Sequence, residues 1–326
     1  MLCIYHQTTD PYFNVATDEY ILKHIEEDCF MLWQNDNAII VGKHQNTLAE
    51  INYEYVKQNN IHVVRRLSGG GAVYHDLGNI NFSFTQTVND GYLVDFKKYT
   101  KPIIEVLQSL GINASFEGRN DISIDGKKIS GNAEHTYKNK VLHHGTLLFS
   151  TNMNIVGEAL RVNPLKYKDK AVKSIPKRVT NISNHLQYPL SIQAFTAKIM
   201  GHIISTYQDA LLYEFTSQDL QKITKIRDEK YATKEWNYGY SPNYNFNKII
   251  KTDGGTIEMN LDVEEGIIKK TKIFGDFFNK KDISEVEVAL INIAHHEPSI
   301  REVLSYFIID EYFHNMTEDD LIEAMF

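Results

Sequence analysis

The stretch 65–84, RRLSGGGAVYHDLGNINFSF, constrains the fold more than any other part of the chain. Three consecutive glycines stand between β-prone, apolar flanks, so the run reads as a turn between strands rather than a flexible linker. It fits neither common phosphate fingerprint. A P-loop needs a lysine and a Ser or Thr after its last glycine, and none follows here; a dinucleotide fingerprint opens a helix, whereas this run leads into another strand. Two readings stay open on residue types alone. Ser68-Gly69-Gly70-Gly71 is either a plain strand-connecting loop or a cradle in which backbone amides meet a carboxylate or phosphate beside Arg65 and Arg66.

Around this run the chain alternates short strands and helices. Asp10 supplies an N-cap and Pro11 a first helical position, with Ala16, Tyr20, Ile21 and Ile25 on one face of the predicted helix. FMLW from Phe30, AIIVG from Ala38 and HVVRR from His62 are apolar runs closed by polar turns, and read as strands. A second helix is expected from about Pro102 to Leu110, stopped by Gly111. Strands return between 114 and 150, where Asp125-Gly126 marks a tight hairpin. Helices are expected from near Asn154 and from Ser191, the latter with Phe195, Ile199 and Ile203 stacked at i, i+4 spacing. WNYGYSPNYN, 236–245, has no periodicity and marks the domain boundary. Beyond it, a hairpin around Glu264-Glu265-Gly266 is followed by helical patterns near 282–295, 299–309 and 317–325, a small α+β unit.

The 326 residues carry 34 Lys+Arg against 42 Asp+Glu, a formal charge of −8. That field disfavours broad nucleic-acid binding. Cys3 and Cys29 form no CxxC pair, which argues against a thiolate zinc site or a disulfide framework. With no basic leader and no window approaching 18 apolar residues, the expectation is a cytoplasmic protein without membrane contact. That it is a monomer is a separate expectation.

Two further blocks carry chemistry. In 118–133, GRNDISIDGKKISGNA, alternation past the hairpin sends one of Lys127 and Lys128 inward. Lys127 is read as a solvated charge. Lys128 precedes Ser130-Gly131, where a ligand could come close, and Asp121 is either a turn residue or a Mg²⁺ ligand beside phosphates. His143 and His144 read as structural rather than as metal ligands. The block 170–183, KAVKSIPKRVTNIS, is too irregular for a helix; it is either a solvated basic connector or a loop closing over a polyanion.

RRLSGGGAVYHDLGN, GRNDISIDGKKISGNA with HHGTLL, and KSIPKRVTNI, in that order, closely resemble the lipoate–protein ligase family. The resemblance covers residues 1–245, and 246–326 looks like the accessory C-terminal domain of the full-length form. It implies an α/β (α+β) fold: a mixed-sheet catalytic domain, shared with biotin–protein ligases and octanoyltransferases, and a small α+β accessory domain. The implied chemistry has two steps. Lipoate and MgATP give lipoyl-AMP and pyrophosphate; a lysine of a lipoyl domain then takes the acyl group and AMP leaves. The implied acceptors are E2 subunits of 2-oxoacid dehydrogenases and the glycine-cleavage H protein.

The resemblance also implies residue roles. Lys128 would be the central catalytic residue, bridging the lipoate carboxylate and the α-phosphate. Arg66, Gly71, Ala72, Val73 and Tyr74 would bind ATP and the adenylate. Lys173, Lys177, Arg178 and Thr180 would belong to the loop over it. Ser68, Gly70, His75 and His144 would shape the lipoate pocket, with Asp121 as the metal candidate. Tyr74 stands where the family often has phenylalanine, and Asn132 fills the variable position of the SGxA segment. Three rivals are carried: a transferase on the same fold using a cysteine thioester, one that accepts preformed lipoyl-AMP but activates poorly, and a noncatalytic binder or repressor. Both cysteines lie outside the motif blocks, and no helix-turn-helix precedes the strands.

Overall fold

The computed structural model describes residues 1–88, 95–160, 167–168, 179–241, 243–275, 277, 279 and 281–326. These residues form two compact units. One holds Met1–Lys43, Val56–Leu160 and the described residues up to Thr233; the other holds His44–Tyr55, the strand Tyr167–Lys168 and Lys234–Phe326.

In chain order the strands are β1 Leu2–Tyr5, β2 Cys29–Trp33, β3 Ala38–Val41, β4 His62–Arg65, β5 Val73–His75, β6 Asn79–Thr87, β7 Ala114–Glu117, β8 Asp121–Ile124, β9 Lys127–Tyr137, β10 Lys140–Leu148, β11 Tyr167–Lys168, β12 Leu211–Leu212, β13 Tyr244–Thr252, β14 Gly255–Glu264 and β15 Ile267–Gly275. The first unit is built on an eight-stranded sheet ordered β12-β1-β2-β6-β10-β9-β8-β7. It is mixed: β1 runs parallel to β2 and β12, and the remaining neighbours are antiparallel. A smaller sheet, β4-β3-β5, pairs β3 parallel to β4 and antiparallel to β5. The glycine run therefore joins two strands of this small sheet, with β5 at its edge.

Strand β2 shows why an apolar run becomes a central strand. Its five residues are all buried, and strand alternation divides them between two cores. Phe30 and Leu32 join Phe82, Phe84, Ile103, Leu107, Phe195, Ile199 and Ile203; Cys29, Met31 and Trp33 join Ile4 and Ile21. The helices Phe96–Ser109 and Ile192–Thr206 thus cover one face and the helix Pro11–His24 packs on the other. Each fully buried Phe or Ile contributes on the order of 2 kcal/mol, and truncating one to alanine costs more because a cavity remains.

The expected caps are present, but two helix starts move. Asp10 accepts from Tyr12 and Phe13 amides, and Ser191 from Ala194. The helix expected from Pro102 begins at Phe96, capped by Asp95, and Pro102 lies buried inside it. A proline usually marks a first turn; here the Asp95 cap and the packing of Tyr99 and Ile103 outweigh the missing N–H. Gly111, at φ +78°, ends the helix as expected.

In the second unit, β11-β13-β14-β15 form an antiparallel sheet. Strict alternation along β14 buries Ile257, Met259, Leu261 and Val263. The strand β13 escaped the sequence reading because its first residues lie in the Asn- and Tyr-rich run. The predicted helix 282–295 shrinks to Ser284–Ala289, with Asn292 in the left-handed region at φ +66°. The next two are Glu297–Leu304, opened by Pro298, and Glu318–Met325, with Ile309–Tyr312 as a single turn between them. Thr47 from the segment 44–55 donates to the Asn237 carbonyl at 2.6 Å, and Tyr53 stacks on Phe326 with ring centroids 4.6 Å apart.

Candidate active site

The glycine loop is organised around Arg66, which is 6% exposed. Its Nε donates to Ser68 Oγ at 3.0 Å, Nη1 to the Ile40 carbonyl at 3.0 Å, and Nη2 to the carbonyls of Gly69 at 2.6 Å and Gly71 at 2.9 Å. Burial, and then the neighbouring Arg65 charge, push its pKa down to about 10, so it stays a cation at neutral pH. Gly70 has φ +93°, and a Cβ there would stand 3.0 Å from Arg66 Nη2. Two glycine carbonyls thus hold the guanidinium in place. Arg65 points elsewhere, with Nη1 on the Gly42 and Lys43 carbonyls.

Lys128 stands at the start of β9, just past a turn in which Asp125 and Gly126 both have positive φ (49° and 71°). That pair of left-handed residues is what a two-residue hairpin of Asp-Gly type requires. Lys127 is exposed and Lys128 is half-buried, as alternation predicts. The register then shifts: Ser123 faces Lys128 while Ile122 faces Ser130, so Ile129 is the extra residue of a bulge. Lys128 Nζ lies 3.0 Å from Asp121 Oδ1. It also lies so close over Gly131 that a Cβ there would be 2.8 Å away. Thr180 donates its amide to the Lys128 carbonyl at 3.0 Å, bringing the end of the basic block beside this lysine.

On β10, the neighbour of β9, His144 stands opposite Ala133 and Gly145 opposite Asn132. His144 Nε2 is 2.5 Å from Ser68 Oγ, and its Nδ1 is 2.9 Å from Asp18 Oδ2. His75 is 3% exposed. Asn14 Nδ2 donates to Asn35 Oδ1, which turns Asn35 Nδ2 toward His75 Nδ1 at 3.1 Å. The ring proton of His75 is therefore on Nε2, and that N–H has no partner among the described residues. Burial above all, then the Arg66 and His144 charges, hold the His75 pKa down to about 3. It is a neutral donor.

Hydrogen bonds join Arg66, Ser68, the Gly69 and Gly71 carbonyls and His144 in one cluster. Lys128 and Asp121, on β9 and β8, form a second with Thr180, and His75 is held by Asn35. Ala72 and Val73 lead into the edge strand β5. Tyr74 turns its hydroxyl to Asn37 Oδ1 at 3.0 Å, so only its backbone belongs to that edge. Lys173, Lys177 and Arg178 lie outside the described residues. His143 is buried against Glu134 and Asn132 at 3.0 and 3.3 Å, a core histidine as expected. Among the described residues no group of three or more His, Cys, Asp or Glu side chains converges on a metal position. Asp121 alone suits a Mg²⁺ that arrives on a nucleotide, because such an ion takes one or two carboxylates and fills its shell from phosphates and water.

Cys3 and Cys29 are buried to 0% and 1% exposure, and burial raises both thiols, Cys29 to about 12. Neither supplies a thiolate. Sequence reasoning missed Asp18 and Asn35, which hold the two site histidines from other elements. No helix among the described residues is long and apolar enough to cross a membrane.

Comparison with known proteins decides the family. A family model described as lipoyl protein ligase A/B catalytic domain matches residues 10–204, and one described as bacterial lipoate protein ligase C-terminus matches 241–325. The chain belongs to the lipoate–protein ligase family. Lipoate–protein ligase 1 of Staphylococcus aureus is 44% identical to it over 319 residues, 97% of each chain. Among solved structures, a bi-partite lipoate protein ligase with its E2 lipoyl domain from Thermoplasma acidophilum superposes with a TM-score of 0.62 at 26% identity, covering 73% of this chain and 96% of that one. A lipoate–protein ligase A bound with ATP gives 0.62 at 25% identity, covering 73% and 98%. The family resemblance of the three motifs and the mixed α/β fold are thereby borne out, and the chain is a ligase.

Proposed function

We propose that the protein activates free lipoate with MgATP to lipoyl-AMP and pyrophosphate, and then transfers the lipoyl group to a lysine of a lipoyl domain. E2 subunits of 2-oxoacid dehydrogenases and the glycine-cleavage H protein are the acceptor class, and the protein works as a cytoplasmic monomer. The observation that carries the reading is Lys128. It is a partly buried ammonium between Asp121 and the close face of Gly131, on the strand next to the one that presents His144. A carboxylate attacking a phosphate needs a cation shared between the two, and this is where one is held.

The other roles are proposed from the family resemblance and, where the residues are described, from their geometry. Arg66, pinned by two carbonyls, meets phosphate; the backbone of Gly71, Ala72, Val73 and Tyr74, on an edge strand, meets the base and ribose. Thr180, with Lys173, Lys177 and Arg178, belongs to the segment over the adenylate. The orphan N–H of His75, with Ser68, Gly70 and His144, faces the lipoate carboxyl end. Asp121, the carboxylate beside Lys128, would hold the Mg²⁺ of MgATP. The catalytic part is 1–245 and the accessory part 246–326. The cysteine-thioester rival is disfavoured by two buried, raised thiols.

The test is lipoate-dependent ATP–pyrophosphate exchange without an acceptor protein. Exchange that requires lipoate supports the reading. Transfer from supplied lipoyl-AMP with no exchange would instead make the protein a transferase with the same pocket.

A further inference from the structure

The hydrogen bonds behind the glycine loop have a single polarity. Trp33 Nε1 donates to Ser83 Oγ at 3.2 Å, and Ser83 Oγ donates to Asp18 Oδ1 at 2.7 Å. On the other side Asp18 Oδ2 takes the proton of His144 Nδ1, which leaves the Nε2 lone pair facing Ser68. Ser68 Oγ then gives its proton to His144 and accepts from Arg66 Nε. Every donor in the series points toward one carboxylate, 4% exposed at the buried end, while His144 at 12% is the more open member. The arrangement of hydroxyl, imidazole and carboxylate is that of a proton relay.

We infer that Ser68 and His144, positioned by Asp18, accept the proton of the acceptor lysine in the transfer half-reaction. The inference rests on the ligase reading above. A lysine of ordinary pKa is neutral in only about one molecule in a thousand near pH 7.4, so its ammonium must lose a proton before it can attack. Nζ then bonds to the acyl carbon as the bond from that carbon to the phosphate oxygen breaks, and AMP leaves with the electron pair. The ammonium proton passes to Ser68 Oγ before the attack as the Ser68 proton moves to His144 Nε2, giving an imidazolium against the Asp18 carboxylate; the second proton, shed from Nζ as the amide forms, leaves on the phosphate of AMP.

The other groups of the site are poorly suited to this task. Lys128 and Arg66 are cations. His75 offers an N–H, and burial keeps it neutral. Asp121 is already paired with Lys128. His185 meets the Thr180 hydroxyl at 3.1 Å, with no carboxylate bonded to it among the described residues. Among the described residues, His144 combines a lone pair on the Ser68 hydroxyl with a buried anion that would stabilise the charge it acquires.

The experiment uses the full chain with Asp18→Asn, which keeps shape and the Ser83 contact but offers His144 an amide in place of the carboxylate. Three rates are compared: lipoate-dependent exchange, transfer from supplied lipoyl-AMP to a lipoyl domain, and attack on supplied lipoyl-AMP by hydroxylamine, an amine already neutral at neutral pH. The expected result is a loss of about 100-fold in transfer, within the usual range for acid–base catalysis. Exchange should fall by less than about tenfold, and the hydroxylamine reaction should track exchange. Parallel losses in all three rates, or transfer at the wild-type rate, would overturn the relay. His144→Gln, which cannot take up a proton, should lower exchange as well because His144 also shapes the lipoate pocket, but transfer should still fall about tenfold further than the hydroxylamine reaction, even if Asp18→Asn folds poorly. Wild-type protein lacking both exchange and transfer would refute the ligase reading itself, a result distinct from either.

Discussion

At the scale of single residues, the site sorts by what each side chain can do with a proton or a charge. Lys128→Ala removes a half-buried ammonium and leaves Asp121, 3% exposed, without that partner. The expected result is a loss of exchange of about 10³-fold, with Tm lowered by no more than roughly 5 °C. A drop of many degrees would make this lysine structural. Cys3→Ala with Cys29→Ala should keep both half-reactions within a few-fold of wild type, because neither thiol is available as thiolate. Transfer lost in a folded double variant would revive a thioester route. Arg66, Ser68, His75 and Lys128 were legible as site candidates because they fall in motif blocks. Asp18 was not: a lone acid in a helix reads as a solvated charge, and its partner His144 is 126 positions away in sequence. Nothing local marks such a pair.

Secondary-structure elements add constraints that no side chain shows alone. The β8–β9 hairpin was readable from Asp125-Gly126, whereas the bulge at Ile129 was not, since a register shift appears only when the partner strand is known. That bulge and the absence of a Cβ at Gly131 together fix the path of Lys128. Gly131→Ala would place a methyl 2.8 Å from Nζ, and the flexible ammonium, not the backbone, must yield. Exchange should therefore fall by about 10²-fold while Tm stays within about 3 °C, as expected when a reacting group is displaced by roughly an ångström. Wild-type exchange in that variant would show that the close approach is incidental. Helix Pro11–His24 teaches the complementary lesson. It was predicted with one apolar face, yet Asn14, Thr17, Asp18 and Glu19 are buried as well. Glu19 is satisfied there by Lys23, Lys230 and Tyr231 at 2.6, 2.7 and 2.5 Å. Burial would raise its pKa, but these three donors hold it below the usual carboxylate value.

The whole molecule joins a sheet-based unit to a smaller one, and each has its own response to acid. In the smaller unit His295 is 4% exposed, accepts from the Tyr244 hydroxyl at Nδ1 and donates from Nε2 to the Met325 carbonyl. Burial lowers its pKa from 6.5 to about 4, despite the opposing backbone bond. Because the unfolded chain binds this proton first, stability is full above about pH 6.5 and declines as pH falls toward 4. The gap is worth on the order of 3 kcal/mol when complete. Calorimetry should show Tm falling between pH 7 and 5, and His295→Gln, which keeps a donor but cannot titrate, should flatten that slope. An unchanged slope would place the acid sensitivity elsewhere. The assignment of His44–Tyr55 to the smaller unit, with Leu48 and Ile51 buried there, also bears on how the protein is made. That segment is synthesised well before Phe326, against which Tyr53 stacks and which lies most of the chain further along. At roughly 5–20 residues per second the wait is on the order of tens of seconds. Until Phe326 has emerged, those apolar side chains have no finished home, so a nascent chain stalled near residue 245 should hold an exposed, chaperone-attracting stretch at residues 44–55.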